Sequence, residues 1–180
     1  NQLIEMHAYR GLWKGPCILS DHIDKAEFHD MHSIIHSRPL NRPEIWSGNV
    51  TVNGTRELVD ELIIKPGTKI LLGPNASLVI RGRLKAEGTK PGIIRFLPAD
   101  NDQDPWGAVI LKDRGANDSV LTYCEFSGGS GLKNDMIEYS AMLSIHNASE
   151  VNIDHCIFRD NEDTDDMVHT VYSDIKFSNC

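Results

Sequence analysis

The sequence has no long apolar run and a deficit of positive charge. No segment of its 180 residues reaches the ~18 consecutive apolar residues that a membrane-spanning helix requires, so no transmembrane segment is predicted. Eighteen Lys and Arg stand against 26 Asp and Glu, which gives a net charge of −8. Because nucleic-acid binding depends on Lys and Arg contacting phosphates, this balance argues against a nucleic-acid partner. It is compatible with cations or neutral sugars.

Close cysteine pairs are also missing. The four cysteines, Cys17, Cys124, Cys156 and Cys180, lack the spacing of a zinc ribbon or of a redox CxxC motif. The sequence begins without Met and without a basic-then-apolar leader, and it stops inside a repeat that is described below. We therefore expect a piece of a longer protein, from which an export signal can have been cleaved.

Residues 1–45 differ in composition from the rest of the chain and hold five of the eight histidines. Apolar residues within 24–36 recur close to the spacing of one helical face, which predicts a short helix that ends before the Pro39 and Pro43 breakers. His29, His32 and His36 would share a face of that helix, so a zinc or nickel site is one interpretation. Surface or capping histidines are favoured, because no HExxH motif is present.

From residue 46 onward the pattern is one of short strands and turns. Short β-branched or aliphatic stretches bounded by Gly, Pro, Asn or Asp are typical of strands. They lie at residues 50–52, 62–64, 68–72, 77–81, 83–86, 93–96, 108–111 and 120–126. Such a series fits a sandwich, a barrel or a solenoid, and self-similarity at a fixed interval indicates the last of these.

Three similar copies occur in the second half of the chain. They are SVLTYCEFSGG from Ser119, VNIDHCIFRDN from Val151 and TVYSDIKFSNC from Thr170. This alignment superposes Leu121, Ile153 and Tyr172, then Cys124, Cys156 and Ile175, and then Phe126, Phe158 and Phe177. Each copy reads as a strand, a bend that resets the inward face, and a second strand. Stacked coils would place the three Phe in one interior column, with Cys124 and Cys156 buried beside it.

The intervals between the copies are 32 and 19 residues, so the first interval carries an insertion. Residues 128–139 are the natural place for it, because they begin with glycines and continue with polar residues. Insertions in solenoids emerge as loops on one face.

The segment KPGTKILLGPNASLVIRGRLKAEGTKPGIIRF, followed by PWGAVIL and SVLTYCEF, resembles the right-handed parallel β-helix family with pectate-lyase-like members. The resemblance covers residues 46–180 and implies an all-β, right-handed parallel β-helix of about five coils. Residues 1–45 would form a helix-containing N-terminal cap on its first coil. A narrower resemblance is to modules of bacterial envelope proteins, including some that accompany spore-coat kinase-type domains.

An acidic run, RDNEDTDDM, follows the second copy. Its Asp160, Asp163, Asp165 and Asp166, with Glu162, are hard oxygen ligands in a turn, as Ca²⁺ requires. The resemblance adds that some β-helix enzymes use Ca²⁺ against uronate polymers. The run lacks the Gly and the final Glu of an EF-hand, so a solvated charge run is the favoured interpretation.

Catalytic or binding groups would have to come from charged residues near the repeat strands, namely Asp154, Arg159, Asp174 and Lys176. A lyase needs a strong base beside a cation, and a hydrolase needs converging carboxylates. None of the four forms a family motif, so exposed strand decoration is the alternative interpretation.

We therefore expect a non-catalytic scaffold or carbohydrate-facing module of a larger exported or cell-envelope protein, outside the cytoplasm. Its partner would be a polysaccharide or a neighbouring domain of the same polypeptide. The competing hypothesis is a polysaccharide lyase, hydrolase or epimerase that acts on an acidic polysaccharide with calcium. Because the last coil would be left open at Phe177 and Cys180, we also expect that the helix continues past Cys180 or pairs with another copy.

Overall fold

The computed structural model describes residues 42–99, 104–133, 138–161 and 164–180. The predicted helix and histidine cluster lie outside these residues, as does most of the predicted cap. The described part is all-β, and its helical content is one 3₁₀ turn at Arg114–Ala116. None of the described helices is long and apolar enough to cross a membrane.

Three parallel sheets account for most of the described strands. Sheet 1 contains β1 (Glu44–Trp46), β4 (Leu62–Ile64), β7 (Leu84–Glu87), β10 (Val120–Thr122), β15 (Val151–Asp154) and β18 (Ile175–Ser178). Sheet 2 contains β2 (Asn49–Val52), β5 (Lys69–Leu72), β8 (Ile94–Pro98), β11 (Cys124–Ser127) and β16 (Ile157–Arg159). Sheet 3 contains β3 (Thr55–Leu58), β6 (Ser77–Ile80), β9 (Val109–Lys112), β14 (Ala141–His146) and β17 (Asp166–Val171).

The order of the strands is that of a parallel β-solenoid. The chain visits sheets 1, 2 and 3 in turn, so each coil adds one strand to every sheet and pairs with the coils before and after it. Five coils are complete, and β18 begins a sixth. Within the described ranges, the only antiparallel pair of strands is a hairpin of β12 (Leu132–Lys133) and β13 (Glu138–Tyr139).

The bend between sheets 1 and 2 repeats the same backbone conformation. Tyr123, His155 and Asn179 precede the second side of their coils, and their φ angles are +47°, +51° and +52°. One left-handed residue turns the chain and shifts the side-chain alternation by one position. The bend predicted between Leu121 and Cys124 is thereby confirmed, and the same conformation recurs at His155 and Asn179.

The core consists of columns of like residues along the solenoid. One column in sheet 1 is formed by Trp46, Ile64, Ala86, Leu121 and Ile153, which pair in register and are at most 4% exposed. Burial of this apolar surface is the main stabilising contribution, at roughly 25 cal/mol per Å² removed from water.

The predicted phenylalanine column is confirmed for two of its members. Phe126 and Phe158 stack with their ring centroids 5.2 Å apart. Its third member is Phe96 of β8, stacked at 4.3 Å on the other side of Phe126. Stacked aromatic pairs stabilise by about 0.5–1.5 kcal/mol beyond the burial of their area.

The third sequence copy was aligned in the wrong register. Ile153 pairs with Phe177, so the interval between these coils is 24 residues (177 − 153) and Phe177 belongs to sheet 1. Cys180, and not Ile175, occupies the position of Cys124 and Cys156, because it follows Phe177 by three residues as Cys156 follows Ile153. The sequence alignment matched Phe177 to Phe126 and Phe158 by residue type, whereas the left-handed bend residue Asn179 fixes the register.

The insertion predicted at residues 128–139 is confirmed as an excursion from the coil. It starts at Gly129, where a β-carbon would lie 2.9 Å from the indole carbons of the fully buried Trp106 and 2.6 Å from Met142. The hairpin that follows covers the outer face of sheet 3. Its Tyr139 and Leu132 pack there in a small apolar cluster with Ala108, Ile110 and Val79.

The last described coil leaves apolar side chains exposed. Ile157, Met167 and Phe177 are 49%, 42% and 46% exposed, and Tyr172 is 90% exposed. The predicted continuation or self-association at this edge stays a prediction.

The phenylalanine column gives a direct test of the core. Phe126→Ala removes a ring that is fully buried between two others, so we expect a loss of about 3–5 kcal/mol in the free energy of unfolding. Phe177→Ala, the same change at a half-exposed ring, should cost about 1 kcal/mol. Urea denaturation followed by circular dichroism measures both, and equal losses would contradict the assigned positions.

Candidate functional site

An open groove of about 480 Å³ runs along the corner between sheets 2 and 3. The insertion hairpin forms one wall through residues 131–133 and 138–139, and the coil corners contribute Asn75, Ser130, Ser140 and Thr164. Hydroxyl and amide groups therefore dominate the lining. The charges on the hairpin, Lys133 and Glu138, pair with each other at 3.3 Å.

The groove is anchored by a cluster of aromatic rings beneath the hairpin. Tyr139 is 5% exposed, and its ring packs 4.8 Å from the imidazole of His146 on β14. His146 in turn lies against His169 of the next coil, with Nε2 and Nδ1 3.3 Å apart. At this distance one imidazole nitrogen can donate a hydrogen bond to the other, and the tautomers decide which one donates.

The environment of His146 disfavours its charged form. Burial, followed by the charges of His169 and Lys112, holds the pKa of His146 below its usual value. The neutral form of the His146 imidazole is therefore favoured in the native chain.

A second polar cluster lies on the outer face of sheet 2. Glu125 is held between two arginines from neighbouring coils: Arg95 Nε donates to Oε2 at 2.9 Å, and Arg159 donates to Oε1 from Nη2 at 2.6 Å and from Nε at 2.9 Å. Asp160 pairs with Arg159 and accepts from Ser127 Oγ at 2.9 Å. Both carboxylate oxygens of Glu125 therefore already accept hydrogen bonds from arginines.

The pKa of Arg159 is raised above its usual value, first by its hydrogen bonds to Glu125 and then by the charge of Glu125. An arginine that acts as a base must release a proton, and this arrangement opposes that release.

The four residues predicted for binding or catalysis do not converge. Asp154 and Lys176 lie on the outer side of sheet 1, Arg159 lies on sheet 2, and Asp174 lies at the exposed corner before β18. Asp154 accepts hydrogen bonds from Asn179 Nδ2 at 2.8 Å and from His155 Nδ1 at 2.9 Å. These bonds, the one from Asn179 foremost, lower the pKa of Asp154 to about 2, and they tie the bends of two coils together.

Three of the four predicted calcium ligands, Asp160, Asp165 and Asp166, lie within the described residues. Asp160 is bound to Arg159, Asp166 accepts from Ser140 Oγ at 3.4 Å, and Asp165 is exposed, whereas Asp163 lies outside the described residues. In the part of the chain that the structure describes, no group of three or more His, Cys, Asp or Glu is placed to hold a metal ion. The calcium site stays a prediction.

The sequence reasoning missed Glu125, Arg95 and the groove residues. The first two had a usable signal, because Glu125 in CEF and Arg95 in IRF stand between two inward-facing residues and must point outward together. The groove residues had no such signal in the sequence, since the path of the insertion brings them together.

The histidine pair predicts a pH dependence. The unfolded chain binds a proton at His146 near pH 6.5, whereas the native chain binds it only at lower pH. The contribution of His146 to the free energy of unfolding should therefore be constant above about pH 6.5 and fall as the pH drops below it, as measured by urea denaturation at a series of pH values.

His169→Gln removes one of the two neighbouring charges and leaves the burial of His146 in place. We expect the pKa of His146 to move part of the way toward 6.5 in this variant, as followed by an NMR titration of the imidazole. An unchanged titration would show that His169 does not influence His146.

Comparison of the chain with protein-family models, with curated proteins and with solved structures returned no match in any of the three. What the chain does is inferred from the geometry of its corner groove and of its charged faces.

Proposed function

We propose that the chain is a non-catalytic module of the right-handed, pectate-lyase-like β-helix type, with residues 1–45 as its cap, and that its corner groove binds a carbohydrate polymer. In this proposal the module belongs to a larger exported or cell-envelope protein. The observation that supports it best is the lining of the groove, where hydroxyl and amide side chains stand on rigid coil corners. A few placed polar groups on a preformed wall suit a ligand rich in hydroxyls.

The length of the solenoid adds to this support. Coils repeat at the spacing of parallel strands, about 4.8 Å, so equivalent corners form an extended wall. Repeat proteins use such surfaces for extended ligands, and insertions commonly lie on the binding face.

Electrostatics favours a neutral polymer over a strongly acidic one. No arginine lines the groove among the described residues, and two arginines of the adjoining sheet 2 are engaged: Arg95 and Arg159 with Glu125, and Arg159 also with Asp160. A uronate would have to displace these carboxylates before it met a free guanidinium.

The competing hypothesis is an enzyme that acts on an acidic polysaccharide with calcium. One observation favours this hypothesis: Arg159 pairs with two carboxylates from successive coils, those of Glu125 and Asp160. Two observations weigh against it: both oxygens of Glu125 are paired, and the pKa of Arg159 is raised.

The groove can be tested with a matched pair of variants. Ser140→Tyr places a ring in the groove, and Ser149→Tyr makes the same change at an exposed corner outside it. We expect wild type and Ser149→Tyr to bind an immobilised neutral β-glucan or mannan, and Ser140→Tyr to bind at least about tenfold more weakly, a loss of ~1.4 kcal/mol.

Equal binding by both variants, or no binding by wild type, would contradict the proposal. The enzyme hypothesis is tested in parallel. Wild type is incubated with polygalacturonate or alginate, once with Ca²⁺ and once with a chelator, and the release of reducing ends is measured. If wild type releases reducing ends in a calcium-dependent way and Glu125→Gln does not, the chain is an enzyme and the proposal of a non-catalytic binding module is wrong.

A further inference from the structure

Three cysteines form a column along the corner between sheets 1 and 2. Cys124, Cys156 and Cys180 each follow a left-handed residue, and each follows by three residues a member of one in-register row, Leu121, Ile153 and Phe177. They are therefore stacked on three successive coils.

The thiols repeat the same contacts. Each sulfur lies near a carbonyl of the preceding coil, with Cys124 at 3.4 Å from Ala86 O, Cys156 at 3.5 Å from Leu121 O, and Cys180 at 3.7 Å from Ile153 O. Each also lies near the carbonyl two residues before it, at 3.5, 3.5 and 3.1 Å. Identical placement means that the sulfurs point the same way, one above the next.

Cys156 and Cys180 are directly in contact. The backbone N–H of Cys156 donates to Cys180 Sγ at 3.4 Å, and the N–H of His155 donates to Ser178 O at 3.0 Å. Neighbouring parallel strands are about 4.8 Å apart, which lies within the Cα separation of about 4.4–6.8 Å that a disulfide requires.

Exposure to solvent distinguishes the two possible disulfide pairs, Cys124–Cys156 and Cys156–Cys180. Cys124 and Cys156 are 1% and 2% exposed, whereas Cys180 is exposed. An oxidant in solution therefore meets Cys180 first, and the only column member in contact with Cys180 is Cys156.

We propose that Cys156 and Cys180 are a disulfide-forming pair, which joins the fifth coil to the strand that begins the sixth. The proposal is independent of the function of the groove. Both thiols are free in the structure.

A small disulfide such as oxidised glutathione can serve as the oxidant that forms the Cys156–Cys180 disulfide. The Cys180 thiolate attacks one sulfur of glutathione disulfide, forms a mixed disulfide and releases one glutathione thiolate, which takes up a proton. The Cys156 thiolate then attacks Cys180 Sγ and releases the second glutathione. The two cysteines lose two protons and two electrons, and the glutathione disulfide gains them.

Contact with the Cys124 thiol holds the pKa of Cys156 below its usual value, which favours the thiolate in the second step. The product would close a loop between two neighbouring coils. Because a cross-link restricts the unfolded chain, it should raise the melting temperature by several degrees.

The test is oxidation of the folded chain, with Cys17→Ser to remove the cysteine that lies outside the described residues. After treatment with oxidised glutathione, alkylation and proteolysis, mass spectrometry should show one cross-linked peptide pair containing Cys156 and Cys180. Cys124 should remain alkylated. The melting temperature should rise on oxidation and return on reduction.

Variants separate the roles of the thiols. Cys124→Ala should still form the cross-link, whereas Cys156→Ala should stop at a Cys180–glutathione mixed disulfide. A Cys124–Cys156 cross-link, a Cys180–Cys180 dimer, or a persistent mixed disulfide in the wild-type chain would each overturn the proposal. These outcomes are read on the wild-type chain as well, so they do not depend on the folding of any variant.

Discussion

The core, the bends and the surface of the chain all depend on the in-register stacking of one coil on the next. A coil of three short strands buries too little apolar surface to be stable alone, and it gains its core only when like residues lie above like residues. The bend at Tyr123, His155 and Asn179 keeps this register along three successive coils, because one left-handed residue turns the chain at the same position in each of them. The columns of phenylalanines and cysteines, and the tie between Asp154 and Asn179, all follow from it.

The fold was more accessible from the sequence than the site was. Inward residues are constrained by packing, so the segments LTYCEF and IDHCIF each predict a strand, a bend and a second strand. The structure confirms these strands. The register failed at the third copy because Phe177 was matched to Phe158 by residue type, although the spacing from the bend at Asn179 places it over Ile153. The strands Thr55–Leu58 and Ala141–His146 were missed, since the first is polar and the second follows the insertion.

Outward residues carry a weaker signal because nothing forces them to repeat. Arg95, Glu125 and Arg159 form one ion-paired cluster, yet in the sequence they are separated by about thirty residues and share no motif. The groove depends on how the hairpin lies over sheet 3, which is fixed by Tyr139 and by the tight packing of Gly129 against Trp106. The composition of the insertion predicted a loop there, but not which corners it would face.

The central claim is the register of the solenoid, and backbone NMR tests it most directly. Cross-strand NOEs between Ile153 and Phe177, and between Asp154 and Ser178, are predicted by the pairing of β15 with β18. NOEs between the backbones of Phe158 and Phe177, or between Ile153 and Tyr172, would contradict it and restore the alignment that the sequence alone suggested.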